Sequence, residues 1–531
     1  MRRRLAALSA TLGSTIESLK VGPALSAGLT AGLGLVVAEI AFATYLFSGR
    51  LADYSTQGIG LILFGNFAGC LVVALTSGFR GAVAGLSPVL LIAMVEVAST
   101  LPAEGRALFV TTALTLIVSA VTAGLVAVAI GRFQLANLLR FIPYSVASGC
   151  VAGIGVAVFL AAMSLMGAEL DWQTLPKLAE RPQLVRWTPG VLYGIGLYVA
   201  MKKWSSPIIP PASIVLAIGA GHSVLAYLRI PADEARSAGL LLASTAEGGL
   251  WPPLLPADLV DVDWGAVAAQ TPDMIMLVVV ALFCVIMNIA GLEVAARQDL
   301  DWDREFKSAG AASVVAGLGG GMAVNLLVPT SLRSKMFGAT TRLTGVVAAL
   351  SVAGVLFLGD ALLGLIPVYL VGGIVVFAGC GMLEQALVRN WRVLPRAEYG
   401  IILLIATTIA GFGLVKGVAV GMVATLVLFA LRLSRMELVK SQFTASERRS
   451  SKVRPAPDRA ILVEYGDRIR CYCLRGYIFF GGVGPLVDRF RRFLDEGHRP
   501  ACLILDFRDV SGVDISAVNA LSRFLARAIL F

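Results

Sequence analysis

The chain has 531 residues, 57% of them hydrophobic and only 15% charged, with a formal net charge of +10. An average soluble domain carries roughly 25% charged residues, so long stretches of this chain must live in a solvent that rejects charge. That excludes a soluble globular enzyme, a secreted disulfide scaffold and a nucleic-acid factor; at ~20 residues per helical span, about a dozen or more transmembrane helices fit.

At the amino end, Met1-Arg2-Arg3-Arg4 is followed by Ser14, Glu17, Ser18 and Lys20 rather than by a short apolar core. Residues 1–20 therefore read as a cytoplasmic segment and not as a cleaved signal peptide. The first hydrophobic run begins near Pro23. From Val21 to Arg435 the hydropathy resolves about fourteen apolar segments, so 21–435 is the expected membrane domain. The clearest are 58–75, 107–130, 146–166, 274–290, 346–358, 366–382, 401–412 and 417–431. With the amino terminus inside, the predicted inner loops hold about 19 Lys and Arg and the outer loops about eight. That asymmetry places both termini in the cytoplasm and requires an even number of spans. Arg389, Arg392 and Arg396 belong to one inner loop, as do Arg333, Lys335 and Arg342 to another.

Residues 436–458 are polar, rich in Ser and Arg at 446–451, and read as a linker. Beyond them, 459–531 carries an α/β pattern: strands at 460–465, 468–480 and 501–507, and helices at 485–496 and Ile515–Ala528. Leu503-Ile504-Leu505 is the kind of apolar run that is buried on both faces of a sheet. A doubly wound domain would continue past the second helix, so this unit is expected to be incomplete. The seven Cys are scattered, Cys471-Tyr472-Cys473 is too close for an ordinary disulfide, and two His leave no zinc-type cluster. No metal or cofactor is expected.

Two halves of the membrane domain resemble each other. Phe141-Ile142-Pro143-Tyr144 and Leu365-Ile366-Pro367-Val368 each open a long apolar segment, seven spans apart. Two short Gly/Pro-interrupted segments also correspond, at 84–89 and 328–332. Paired interrupted segments point to an inverted-repeat transporter with its site at the interruptions. In Gly85-Leu86-Ser87-Pro88, Ser87 can cap a helix and Pro88 can occupy its first turn, where a missing N–H costs nothing. Asn325-Leu326-Leu327-Val328-Pro329-Thr330-Ser331 offers the same grammar. Two helix amino termini could hold an anion without a buried Lys or Arg; the bland reading is a pair of ordinary caps.

Few polar residues lie inside the apolar runs. Glu39 stands in Val36-Val37-Ala38-Glu39-Ile40-Ala41-Phe42, where a carboxylate is a functional candidate: for proton coupling, for a cation, or for a structural ion pair. Asn288 and Glu293 follow in Ile286-Met287-Asn288-Ile289-Ala290-Gly291-Leu292-Glu293, with Glu293 near the inner interface. Asn66, Thr111 and Thr112 read as helix–helix hydrogen bonds.

Several stretches resemble one family. Asp301-Trp302-Asp303-Arg304-Glu305 running into Phe306-Lys307-Ser308-Ala309-Gly310 is similar to the "D-x-x-R-E-(x)-x-A-x-G-x-x-N" stretch of SulP anion transporters, the sulfate permease or solute carrier 26 family. Gly317-Leu318-Gly319-Gly320-Gly321 and Gly338-Ala339-Thr340-Thr341-Arg342 resemble its next landmarks, and Ala27-Gly28-Leu29-Thr30-Ala31-Gly32 its first-span signature. Leu505-Asp506-Phe507 through Val513-Asp514-Ile515-Ser516-Ala517 looks like the core of a STAS domain, and 288–300 like a bacterial subgroup. The resemblance implies an α-helical polytopic membrane protein with a seven-plus-seven inverted repeat, core and gate domains, a homodimer, and a partial α/β STAS domain. It implies an anion site between the third and tenth helices, closed by the first and eighth. By position that site takes Glu39, Phe42, Gly85, Leu86, Ser87, Asn288, Glu293, Thr330 and Ser331. The sequence departs from the family: the proline after Gly85 is displaced by two, and no Arg follows Ser331 directly.

The expected function is a secondary transporter or exchanger of a small inorganic or organic anion (sulfate, bicarbonate, chloride or dicarboxylate) across the cytoplasmic membrane, with H⁺ or Na⁺ as a possible coupling ion. Its expected partners are the lipid bilayer and a second copy of the chain, with no nucleic acid. The alternatives are a nucleobase or organic-acid carrier of the same fold, and a membrane sensor signalling through the tail. Ser516, after Asp514 at a helix start, is a regulatory candidate for phosphorylation, set against a plain helix cap.

Overall fold

In lipid a backbone must bond to itself, which makes helices of the apolar runs. The computed structural model describes residues 2–136, 144–168, 180–204, 206, 208–242, 250–252, 254–336, 338–339, 341–359, 363–434, 437–448, 452–495 and 502–528. Expectations at 140–143, 177, 340, 435–436, 449–451 and 496–501 lie outside these residues.

The first half runs through α1 (Arg2–Leu46), α2 (Ser55–Thr76), β1 (Ala84–Gly85), α3 (Pro88–Thr100), α4 (Gly105–Arg132), α5 (Tyr144–Leu165), α6 (Arg181–Trp204) and α7 (Ile209–Tyr227). The second half repeats the order in α8 (Thr271–Ala296), α9 (Trp302–Leu318), β2 (Asn325–Leu326), α10 (Val328–Met336), α11 (Leu343–Leu358), α12 (Val368–Leu383), α13 (Arg396–Phe412) and α14 (Leu414–Ser434). Among the described residues, eight helices are long and apolar enough to cross a membrane. The chain is a multi-pass membrane protein. The third and tenth helices are short, 13 and 9 residues, because each is preceded by a two-residue strand.

The packing obeys a seven-helix exchange. Helix α4 lies on α9 as α11 lies on α2; α11 lies on α1 as α4 lies on α8; and α13 lies on α5 as α6 lies on α12. These pairs, together with the packing of α3 and α10 on α1 and α8, sort the helices into one bundle of α1–α4 with α8–α11, and another built on α5, α6, α12 and α13. Close approach of α1 to α11 explains Gly28 and Gly32: a Cβ on Gly28 would stand 2.6 Å from the Thr344 carbonyl oxygen, and one on Gly32 2.5 Å from Ser351 Cβ. Membrane helices pack through small residues in this way.

The chain divides into compact units at 1–421 and 422–531, a cut that falls within α14. The second unit contains β3 (Val439–Thr444), α15 (Ala456–Tyr465), β4 (Ile469–Ile478), α16 (Phe480–Asp495), β5 (Cys502–Val513) and α17 (Ile515–Ala528). Its sheet has the order β3-β4-β5, with β3 antiparallel to β4 and β5 parallel to it. A parallel neighbour requires a crossover, which α16 supplies. One face of the sheet packs on the two amphipathic helices through Tyr472, Leu474, Phe490, Leu521 and Phe524.

Three sequence expectations fail in this unit. Residues 460–465, expected as a strand, are helical: Pro455 takes the cap position, Pro457 the first turn, and Asp458 favours the positive helix end. The stretch expected to be a linker holds strand β3, whose alternation is hidden by a register shift between Val439 and Ser441. Leu503-Ile504-Leu505 is not buried on both faces; Leu503 and Leu505 pack on the helical cluster while Ile504 remains 45% exposed.

Candidate functional site

The two interrupted segments meet. Strand β1 pairs antiparallel with β2, Ala84 opposite Leu326 and Gly85 opposite Asn325, so α3 and α10 start from opposite ends of one two-stranded crossing. The Leu327 N–H donates to the Val83 carbonyl at 2.9 Å. Ser331, fully buried, clamps the same residue: its Oγ accepts from the Val83 N–H at 3.0 Å and donates to the Val83 carbonyl at 3.2 Å. The Cys70 thiol of α2 accepts from the Ala84 N–H at 3.5 Å.

Glu39 of α1 reaches this crossing. Its Oε1 accepts from the Leu86 N–H at 2.8 Å and from Asn66 Nδ2 at 2.8 Å. Leu86 lies two residues before the first turn of α3, one before the Ser87 cap position, so the carboxylate sits near the positive end of that helix. Glu39 Oε2 and Asn66 Oδ1 are buried and have no hydrogen-bond partner among the described residues. Two bare acceptor oxygens in one buried cluster form a seat for a proton, a cation or a donating ligand group. Gly85 is required here: a Cβ would stand 2.7 Å from Glu39 Oε1 and 2.9 Å from Leu327 Cδ1.

The remaining sequence candidates scatter around that centre. Ser87 is the residue before α3 and is buried, but its side chain makes no capping bond. Phe42 is buried in α1, three residues after Glu39. Thr330 lies half-buried in the first turn of α10. Glu293 stands apart and braces the end of α8, its Oε1 accepting from the Leu300 N–H at 3.0 Å. Asn288 lines a separate cavity of about 10 Å³, room for one water, together with Glu305, Ser308 and Asn325. Glu305 there binds the end of α2, with the Gly78 N–H donating to Oε1 at 2.6 Å and Ser77 Oγ to Oε2 at 2.8 Å.

Asn66, expected from the sequence to make a helix–helix hydrogen bond, does so in joining α2 to α1, and it also completes the Glu39 cluster. The single Asn inside an apolar run was the available signal. Thr111 likewise bonds across elements, accepting from the Asp263 N–H at 3.2 Å. In the tail, Asp514 rather than Ser516 caps α17, Oδ1 accepting from the Ala517 N–H at 2.6 Å, and Ser516 is exposed. On the connection before α8, Asp258 is held below the usual carboxylate range by the Leu255 N–H and by Arg106, whose Nη2 lies 2.5 Å from Oδ1.

A family model described as the sulfate permease family matches residues 23–407. The vacuolar basic amino acid transporter VSB1 of Saccharomyces cerevisiae is 23% identical over 429 residues, which is 78% of this chain but only 41% of that protein. The bicarbonate transporter BicA of Picosynechococcus sp. is 24% identical over 427 residues, 77% of this chain and 70% of its own. The structure of the murine anion transporter Slc26a9 in an inward-facing state shares the fold, with a TM-score of 0.68 at 14% identity over 95% of this chain and 83% of that one.

Proposed function

The chain belongs to the sulfate permease family, and from that premise we propose that it is a secondary transporter or exchanger of small anions working by alternating access. The observation that supports this reading is the β1–β2 crossing, which brings the starts of α3 and α10 to one place with Glu39 against the Leu86 N–H. Each terminus offers up to roughly half a positive charge. A substrate anion taking the Leu86 N–H must displace the Glu39 carboxylate or meet it neutralised. A proton or Na⁺ received by the bare oxygens of Glu39 and Asn66 would remove that repulsion, which makes one of them the coupling ion. The bicarbonate carrier named above favours an inorganic anion.

A second reading is a cationic substrate. The same two bare oxygens would accept hydrogen bonds from an ammonium or guanidinium group, and the yeast relative is named for basic amino acids. We further propose a homodimer in a cytoplasmic membrane with both termini cytoplasmic, the tail acting as a STAS-like domain. Uptake of labelled sulfate, bicarbonate, chloride, a dicarboxylate and arginine into vesicles reconstituted with the full chain tests the reading. Anion uptake driven by a pH or Na⁺ gradient is expected. Uptake of arginine alone replaces the first reading with the second, and no flux of any of them overturns both.

A further inference from the structure

The turn joining α12 to α13 departs from an ordinary interhelical connection. The apolar run of α12 continues through a π-helical segment, Glu384–Val388, and the span ends there. The chain then turns and re-enters as α13 after Pro395. A short turn between two consecutive spans lies at the membrane surface, where lipid headgroups are.

This turn is built rigidly. Asn390 is buried, donates from Nδ2 to the Ala386 carbonyl at 3.0 Å, and accepts at Oδ1 from the Tyr144 hydroxyl at 3.0 Å. Leu394 packs against Ala152, Ala386 and Ile402. On that frame Leu387, Val388, Arg389, Trp391, Arg392 and Tyr399 line a cavity of about 670 Å³. The Trp391 and Tyr399 rings meet edge-on at 5.0 Å, yet Trp391 is 66% exposed and Val388 67%.

Basic side chains outnumber acids on this turn, Arg389, Arg392 and Arg396 against Glu384 and Glu398, and Arg389 stands within electrostatic reach of Glu384 without pairing to it. Among the described residues, neither Arg389 nor Arg392 has an ion-pair partner. The nearby acid Glu384 is taken by Lys202, with Nζ 2.7 Å from Oε1, and Glu398 stands in the first turn of α13. Two exposed guanidinium groups beside exposed aromatic and aliphatic walls, at a membrane surface, match one ligand chemistry: a phosphate carrying an acyl chain. Arg forks onto phosphate oxygens, Trp and Tyr settle at the headgroup level, and basic residues at the ends of spans hold anionic lipids. We propose that the groove formed by the α12–α13 turn is a binding site for an anionic phospholipid, its phosphate on Arg389 and Arg392 and its chain along Leu387, Val388 and Trp391.

The test uses the full chain in nanodiscs of phosphatidylcholine doped with brominated phosphatidylglycerol or, in a parallel series, brominated phosphatidylcholine. Trp391 emission is isolated by subtracting the signal of Trp391→Phe. Quenching is expected at lower mole fractions of the glycerol lipid than of the choline lipid. Arg389→Gln with Arg392→Gln should erase that preference, a loss of roughly tenfold or more, while the paired Lys substitutions keep most of it. The substituted arginines are exposed, and matching unfolding temperatures show that the variants remain folded. Equal quenching by both lipids, or an unchanged preference in the Gln variant, overturns the proposal. Full relief of quenching by inorganic phosphate also overturns it, because the site would then take a free anion.

Discussion

Glu39 can be tested by separating its charge from its hydrogen bonds. In Glu39→Gln the amide oxygen can still accept from the Leu86 N–H and from Asn66 Nδ2, both 2.8 Å from Oε1, while the new NH₂ can donate to the bare Asn66 Oδ1. The variant should therefore unfold within about 1 kcal/mol of the parent. Glu39→Ala removes the acceptor and leaves two buried donors unpaired, each costing about 1–3 kcal/mol, for a loss of about 2–6 kcal/mol. Thermal unfolding in detergent should rank parent and Gln together and Ala well below. Flux then separates scaffold from chemistry: in Glu39→Gln the dependence of uptake on pH or Na⁺ should flatten while transport by exchange persists. If Glu39→Ala unfolds like Glu39→Gln, the clamp on Leu86 is not formed. If the Gln variant keeps the parent's pH and Na⁺ profiles, Glu39 is not the coupling group.

Ser331→Ala should lower stability by about 1–3 kcal/mol in thermal unfolding, since the buried Val83 N–H loses its acceptor; Ser331→Asp should in addition abolish anion binding measured on purified protein. Gly28→Ala drives a Cβ to 2.6 Å from the Thr344 carbonyl oxygen and should cost about 1–3 kcal/mol of overpacking. Asp258 is a carboxylate with a depressed folded pKa, so its contribution is complete above its unfolded value of about 3.9 and disappears as pH falls through the folded one. The unfolding-temperature difference between parent and Asp258→Asn should thus hold steady from neutral pH to about pH 5 and shrink in stronger acid. Ser516→Ala should leave flux nearly unchanged, whereas Asp514→Ala should weaken the second unit by about 1 kcal/mol through the lost cap, seen by circular dichroism of the full chain.

What could be read from the sequence follows the range of the interactions. The spans come from local hydropathy, and 107–130 and 401–412 fall inside helices Gly105–Arg132 and Arg396–Phe412. Glu39 stood out because one acid in an apolar run is conspicuous at any range. Its partner in α3 was invisible, since the Leu86 N–H lies 47 residues away and is a backbone group with no side-chain signature. Ser331 shows the same limit more sharply. A serine in the first turn of a helix reads as a donor for a ligand, but its hydroxyl is spent on Val83, 248 residues earlier, where it fixes the crossing itself.

The second unit exposes the other weakness of local reading, which is that an apolar run does not declare its secondary structure. Ile461-Leu462-Val463 has strand composition, yet Pro455, Pro457 and Asp458 ahead of it set a helix start, and the chain follows the start. Val439–Thr444 has a strand's burial only after a register shift, so its period of two is broken in the sequence. Both errors have one cause: the residues that decide the outcome flank the run or sit across the sheet, outside any window centred on it. The α12–α13 turn obeys the same logic in reverse. In the sequence Arg389, Arg392 and Arg396 read as an orienting charge cluster, and only the buried Asn390 and the half-buried Leu394 give the turn a fixed shape. Positive charge sets which side of the membrane a loop takes; a rigid frame under that charge is what allows it to select a lipid.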